Sequence, residues 1–120
     1  MSGKYMAYVG SYSYTGKAKG ITVFDVDVKN GTFRERCEME VDNSSYVIAS
    51  SDGKTLYSIA DEGVVSFRIL QNGSLARLNS APIRGMRGCH LCTDMEDKYV
   101  FVSGYHDGKT TVLSLNKDGS

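Results

Sequence analysis

Four short apolar runs, each closed by a polar turn, occupy Tyr46 to Ile83 and recur in part on both sides. The runs are Tyr46 to Ala49, Leu56 to Ala60, Val64 to Leu70 and Leu75 to Ile83. Between them lie Ser51-Asp52-Gly53-Lys54, Asp61-Glu62-Gly63 and Asn72-Gly73-Ser74. Such turns reverse the chain between neighbouring strands, so the unit predicts a four-stranded antiparallel meander. A single sheet of that size has two faces and too little core to bury both, so it must pack against others of its kind.

The flanking sequence supplies them. Tyr5 to Tyr12, Gly20 to Val28 and Phe33 to Val41 read as three strands, joined by the polar stretch Tyr14 to Lys19 and the Lys29-Asn30-Gly31-Thr32 hairpin. In Phe33 to Val41, alternation places Arg34, Arg36, Glu38 and Glu40 on one face. Phe33, Glu35, Cys37, Met39 and Val41 fall on the other. That profile suits an outer edge strand, where charge discourages pairing with other chains. After the central unit, His90 to Asp94, Lys98 to Tyr105 and Lys109 to Asn116 read as three more strands. Lys4-Tyr5-Met6-Ala7-Tyr8-Val9 returns 50 residues later at Lys54, and again 44 later at Lys98. Asn30-Gly31-Thr32 returns as Asn72-Gly73-Ser74 and as Asp118-Gly119-Ser120. Four-stranded repeats of about 40–50 residues indicate the blades of a β-propeller. A sandwich with similar hairpins is the plainer alternative.

With the strands of a blade lettered A to D from the hub outward, the chain reads BCD-ABCD-ABC. Residues 5–41 form a blade without its innermost strand, 46–83 a complete blade, and 90–120 a blade without its outer strand. The fold class is therefore all-β: about two and a half blades in an incomplete ring. A ring needs at least about four blades. The expectation is a fragment of a longer protein or one piece of an assembly, partnered by the remaining blades or by other copies of the chain.

Charge and cysteine usage narrow the functions. Lys+Arg and Asp+Glu balance at 14 each, which argues against nucleic acid as a partner. No run approaches the roughly 20 apolar residues of a membrane span. Met1-Ser2-Gly3-Lys4 leads straight into a strand without a signal segment, so the expectation is a cytoplasmic protein with no membrane partner. The three cysteines, Cys37, Cys89 and Cys92, form no disulfide framework. Cys89-His90-Leu91-Cys92 resembles half a zinc site, but no second Cys/His pair exists, and positions 89 and 92 of a strand point to opposite faces. No metal and no cofactor are expected.

Three stretches carry a family likeness: Tyr8-Val9-Gly10-Ser11-Tyr12 with Gly20-Ile21-Thr22-Val23-Phe24; Ala49-Ser50-Ser51-Asp52-Gly53-Lys54-Thr55-Leu56-Tyr57; and Lys98 to Leu113 through Gly104-Tyr105-His106-Asp107-Gly108. Together and in this order they resemble the N-terminal part of the seven-bladed propeller lactonases of the 6-phosphogluconolactonase type. Ser51 stands where that family's recurring turn has proline. The resemblance covers essentially all 120 residues. It implies hydrolysis of a sugar lactone without metal, by a parent protein of which this chain is about a third. The segments usually proposed for that family's chemistry lie in later blades. The alternatives are a non-catalytic propeller acting as a binding platform, and a muconate-type lactone-forming enzyme.

The blade register offers its own candidates. In a meander the D–A and B–C connections share one edge, which collects Tyr14 to Lys19, Asp42 to Ser45, Asp61-Glu62, Arg84 to Cys89 and Tyr105-His106-Asp107. Lactone hydrolysis needs a base to activate water and a donor facing the developing oxyanion. His90 and His106 are the expected bases, since imidazole titrates near neutrality. Arg84 and Arg87 are the expected holders of a phosphate or carboxylate, and Tyr105 of a sugar hydroxyl. Each has a plainer role beside it. His90 would be a hydrogen-bonded strand start, and His106, Arg84 and Arg87 solvated surface groups.

Overall fold

A computed structural model describes residues 4–120, which form ten β-strands and no α-helix. In chain order these are β1 (Lys4–Gly10), β2 (Gly20–Asp27), β3 (Thr32–Glu40), β4 (Val47–Ala49) and β5 (Thr55–Ala60). They continue with β6 (Gly63–Ile69), β7 (Leu75–Pro82), β8 (His90–Thr93), β9 (Tyr99–Ser103) and β10 (Thr110–Ser114). Each coincides with an expected run. The expectation for Met1, Ser2 and Gly3 lies outside the described residues. Among the described residues, no helix is long and apolar enough to cross a membrane.

The strands form three antiparallel meanders: β1-β2-β3, β4-β5-β6-β7 and β8-β9-β10. The sheets are open and stack in sequence as propeller blades do. Two apolar layers hold the stack. Ile21, Val23 and Val41 of the first sheet and its outgoing loop meet Leu56, Val65, Phe67 and Leu75 of the second. On the other side, Tyr57, Ile59 and Val64 meet Leu91, Val100 and Val102 of the third. The middle sheet is thus covered on both faces, which explains why β5 and β6 are almost continuously buried rather than alternating. Each fully buried Leu, Ile, Val or Phe in these layers contributes on the order of 1.5–3 kcal/mol.

Two tyrosines tie the layers at one edge. The Tyr8 hydroxyl donates to the Gly73 carbonyl of the next sheet's hairpin turn at 2.7 Å. The Tyr57 hydroxyl does the same to Gly119 one sheet further on, at 2.8 Å. Tyr8 and Tyr57 are therefore equivalent, 49 residues apart. The 50-residue offset of the sequence comparison pairs Ala7 with Tyr57 and is one residue out for this strand. A one-residue slip exchanges the two faces of a strand.

β3 carries a second correction. Its pairing with β2 shifts at Val23/Phe24, so Cys37 faces Val23 and Glu35 faces Phe24, with Arg36 left as the extra residue. A bulge of this kind turns the strand over. Cys37 and Met39 pack toward the second sheet, whereas Phe33 lies on the opposite face and is 60% exposed. The expected single mixed face is therefore split in two. β7 has the matching irregularity against β6 at Ser66/Phe67, with Leu78 as its extra residue.

Candidate functional site

The connections β1–β2, β3–β4, β5–β6, β7–β8 and β9–β10 lie along one edge of the stack and are bonded in series. Asn43, between the first two sheets, is central. Its φ of 53° lies in the left-handed region, which asparagine tolerates because its short amide bonds locally. Its side-chain carbonyl accepts from the Ser13 and Tyr14 backbone N–H groups at 2.8 and 3.0 Å. Its own N–H donates to Ser13 Oγ at 3.0 Å. Its amide nitrogen donates to both carboxylate oxygens of Asp61 at 3.1 Å.

Arg87, between the second and third sheets, closes this network. Its guanidinium donates to Asp61 Oδ1 at 2.9 Å, to Ser45 Oγ at 3.0 Å and to the Asn43 carbonyl, and lies 5.2 Å from the Tyr12 ring centroid. One planar fork thus spans loops from all three sheets, a task that suits arginine better than lysine. The last loop joins through Asp107, whose carboxylate accepts from Met86 N at 2.8 Å and Lys109 N at 3.2 Å. Those bonds, the Met86 one foremost, hold the Asp107 carboxyl below the usual carboxylate range. Gly85, at φ 109°, leaves the space that this carboxylate fills; a Cβ there would meet Asp107 Oδ2.

The five expected site residues are distributed along this edge. Arg87 is the central tie, with its charge answered by Asp61. Arg84 is exposed in the same loop. Tyr105 and His106 are exposed at the β9–β10 connection and stack on each other, with ring centroids 4.1 Å apart. His90, at the start of β8, is exposed and packs against Tyr46 of the preceding sheet, the ring centroids 4.8 Å apart and the planes tilted by 52°. Tyr46, just before β4, and His90, the first residue of β8, hold equivalent places in their sheets. The sequence reading missed Asn43, Asp61 and Tyr46 as organisers. The only local signal was Asp42-Asn43-Ser44, a turn-forming tripeptide.

A cleft of about 410 Å³ lies beside the network, lined by Glu40, Asp42, Asp61 and Glu62 with Arg77 across from them. None of the five expected residues lines it. Four carboxylates against one guanidinium do not favour a phosphorylated ligand. Cys89 is half-buried, its thiol donating to the Ser103 carbonyl at 3.2 Å, and Cys92 is exposed on β8. No group of three or more His, Cys, Asp or Glu among the described residues could hold a metal.

Comparison with known proteins identifies the stack. The family profile described as "Lactonase, 7-bladed beta-propeller" matches residues 6–120. A 6-phosphogluconolactonase of Bacillus subtilis is 33% identical over 123 residues, covering 98% of this chain and 35% of the relative. One from Formosa agariphila is 29% identical, covering 93% and 34%. Among solved structures, a putative 6-phosphogluconolactonase from Bacteroides fragilis superposes with a TM-score of 0.88 at 31% identity, covering 98% of this chain and 34% of that one. A periplasmic gluconolactonase of Pseudomonas aeruginosa shares the fold, with a TM-score of 0.86 at 23% identity. The chain spans about a third of the length of these relatives.

Proposed function

Because the chain belongs to the seven-bladed β-propeller lactonase family, we propose that it is part of an enzyme that hydrolyses a sugar lactone, with 6-phosphogluconolactone as the leading substrate. The observation that carries this reading is the match over 98% of the chain to a 6-phosphogluconolactonase at 33% identity. In the same reading, residues 5–41 are a blade lacking its inner strand and 90–120 a blade lacking its outer one. The phosphorylated substrate would place the reaction in the cytoplasm, since a sugar phosphate does not cross a bilayer unaided.

The chemistry is addition of water to the lactone carbonyl and cleavage of the ring C–O bond. The proton lost by water is balanced by the one gained on the released hydroxyl. His90 and His106 are the proposed proton-handling groups, both exposed on the edge where the loops meet. Arg84 is the proposed phosphate contact, free of the Asp61 pairing that occupies Arg87. Arg87 ties the loops through Asp61, Asn43 and Ser45 and is the proposed second contact to the same group. Tyr105 is the proposed donor to a sugar hydroxyl.

The test is loss of 6-phosphoglucono-δ-lactone, corrected for spontaneous hydrolysis, by the polypeptide that carries these 120 residues. Unphosphorylated gluconolactone is run in parallel. A rate above background on the phosphorylated lactone supports the reading, with KM raised several-fold by Arg84→Ala. Absence of any rate on either lactone overturns it.

A further inference from the structure

Arg84 and Arg87 share a loop but are held very differently. Arg84 is exposed and makes no ion pair among the described residues. Arg87 is fixed at its backbone and at its head. Its carbonyl lies against Gly104, just after β9, where a Cβ would stand 3.1 Å from it. The next residue, Gly88, is buried, and a Cβ there would lie 2.5 Å from the Val102 side chain. At the head, N–H groups donate to Asp61, Ser45 and the Asn43 carbonyl. A guanidinium carries further N–H groups, and these have no partner among the described residues. The side chain is 23% exposed, so a ligand can reach it.

Asp61, which fixes the fork, is itself steered. Its backbone N–H donates to the Asp42 carbonyl at 3.2 Å. Both carboxylate oxygens accept from the Asn43 amide at 3.1 Å. The amide can sit only one way round. Its oxygen accepts from the Ser13 and Tyr14 N–H groups. Reversed, it would set its NH2 against two donors and its oxygen against a carboxylate. An aspartate at that position would place two carboxylates together. Asparagine supplies an acceptor on one side and a donor on the other, and every contact in the series joins sheets that this chain contains.

We propose that Asn43 is a positioning residue that sets the preference for phosphorylated over unphosphorylated sugar acids and lactones, acting through Asp61 on the Arg87 guanidinium. The inference rests on the reading of Arg84 and Arg87 as phosphate contacts. Asp61 offsets the charge of Arg87, so what the pair contributes is direction. A donor already held in place loses little rotamer freedom when its ligand arrives. Arg84 then adds charge from an exposed side chain, and Arg87 fixes where on the edge the phosphate sits.

Calorimetric titration of the polypeptide that carries these 120 residues tests it, with 6-phosphogluconate and gluconate as the probes. The ratio of their dissociation constants reads the preference for phosphate; partial unfolding would weaken both alike. Asn43→Gly keeps the left-handed φ of 53° and deletes the amide. It should reduce the preference about fivefold. Arg87→Lys, which keeps the charge and loses the fork, should reduce it by a similar factor. The two changes together should do little more than either alone, because both act on one contact. Asn43→Asp combined with Asp61→Asn reverses amide and carboxylate, yet keeps an acceptor for Ser13 and Tyr14 and another for Arg87. That pair should recover most of the preference that Asn43→Asp alone loses. A wild type with no preference for 6-phosphogluconate overturns the proposal. So does a preference that Asn43→Gly leaves intact, or a double variant whose losses simply add. If the preference behaves as expected but no lactone is hydrolysed, the lactonase reading falls and the role of Asn43 stands.

Discussion

Tyr57 illustrates how much a single hydroxyl carries here. Its ring fills the layer between the second and third sheets, and its O–H satisfies the Gly119 carbonyl at the layer's rim. Tyr57→Phe keeps the ring and removes the bond, so we expect a loss of about 1 kcal/mol, read as a lower urea midpoint at unchanged slope. Tyr8→Phe should cost about the same, because its bond to Gly73 is the equivalent one. Titration offers an independent check. Burial pushes the Tyr57 hydroxyl from 10.0 up to about 12, and the Tyr8 hydroxyl rises for the same first cause. The folded state therefore holds these protons more tightly than the unfolded chain. Their contribution is complete below pH 10 and, for Tyr57, disappears as the pH approaches about 12. Thermal midpoints recorded across that range should fall less steeply for Tyr57→Phe than for the wild type. The aromatic character of both positions was legible in the sequence; their equivalence was not. The comparison was anchored on Lys4, Lys54 and Lys98. Lys54 and Lys98 stand just before β5 and β9, whereas Lys4 lies within β1 and pairs with Asp27, so aligning the three lysines displaces the first copy by one residue.

At the scale of strands and turns, the sheets are linked at both edges by carboxylates that accept backbone N–H groups. Asp97, at φ 55°, takes the Ser51 and Asp52 N–H groups of the neighbouring sheet's turn at 2.8 and 3.2 Å. Asp97→Ala removes both bonds and should cost about 1–2 kcal/mol. Asp97→Asn keeps one side-chain acceptor and should cost less, and denaturant titration of the pair separates the two. Asp52 is held below the usual carboxylate range first by the Ser50 hydroxyl, and Asp94 first by the Tyr99 N–H. Such groups stabilise the fold above their unfolded value of 3.8 and lose that contribution as pH falls through their lower folded values. The acid limb of a stability profile should therefore begin below about pH 4, and an Asp94→Asn variant should show a shallower one. Strand positions were readable from alternation and turn chemistry. The bulge that turns β3 over was missed, because Arg34, Arg36, Glu38 and Glu40 keep an every-second-residue spacing across it; the one mark it leaves is Arg34-Glu35-Arg36, three charged residues in succession. Only the pairing with β2 shows that Phe33 and Cys37 face opposite ways.

Across the described residues, the decisive asymmetry is that the middle sheet packs on both faces and each of the other two packs against it. Phe67 looks toward the first sheet and Ile59 toward the third, and both are fully buried. The repeat predicted this sandwiching, since a unit flanked by its own copies has no solvent face. The candidate site was less legible, because it is assembled from loops of different sheets. Arg87 could be placed on the correct edge from the repeat, but its ties to Asp61, Asn43 and Tyr12 depend on how adjacent sheets are rotated. The same asymmetry sets the order of opening. Local stability follows the number of buried contacts a segment must break. Amides of β5 and β6 should therefore exchange slowest, at the rate of global unfolding. Those of the edge strands β3 and β10 should exchange much faster, since each has one neighbouring strand and at least one exposed face. Phe67→Ala and Ile59→Ala should each cost about 3–5 kcal/mol, a large fraction of an ordinary domain's stability of about 5–15 kcal/mol. Hydrogen exchange on either variant should show β5 and β6 accelerated together, although the two cavities lie on opposite faces, because both layers rest on the same pair of strands. Acceleration confined to the layer that was cut would mean that the three sheets unfold as separate units.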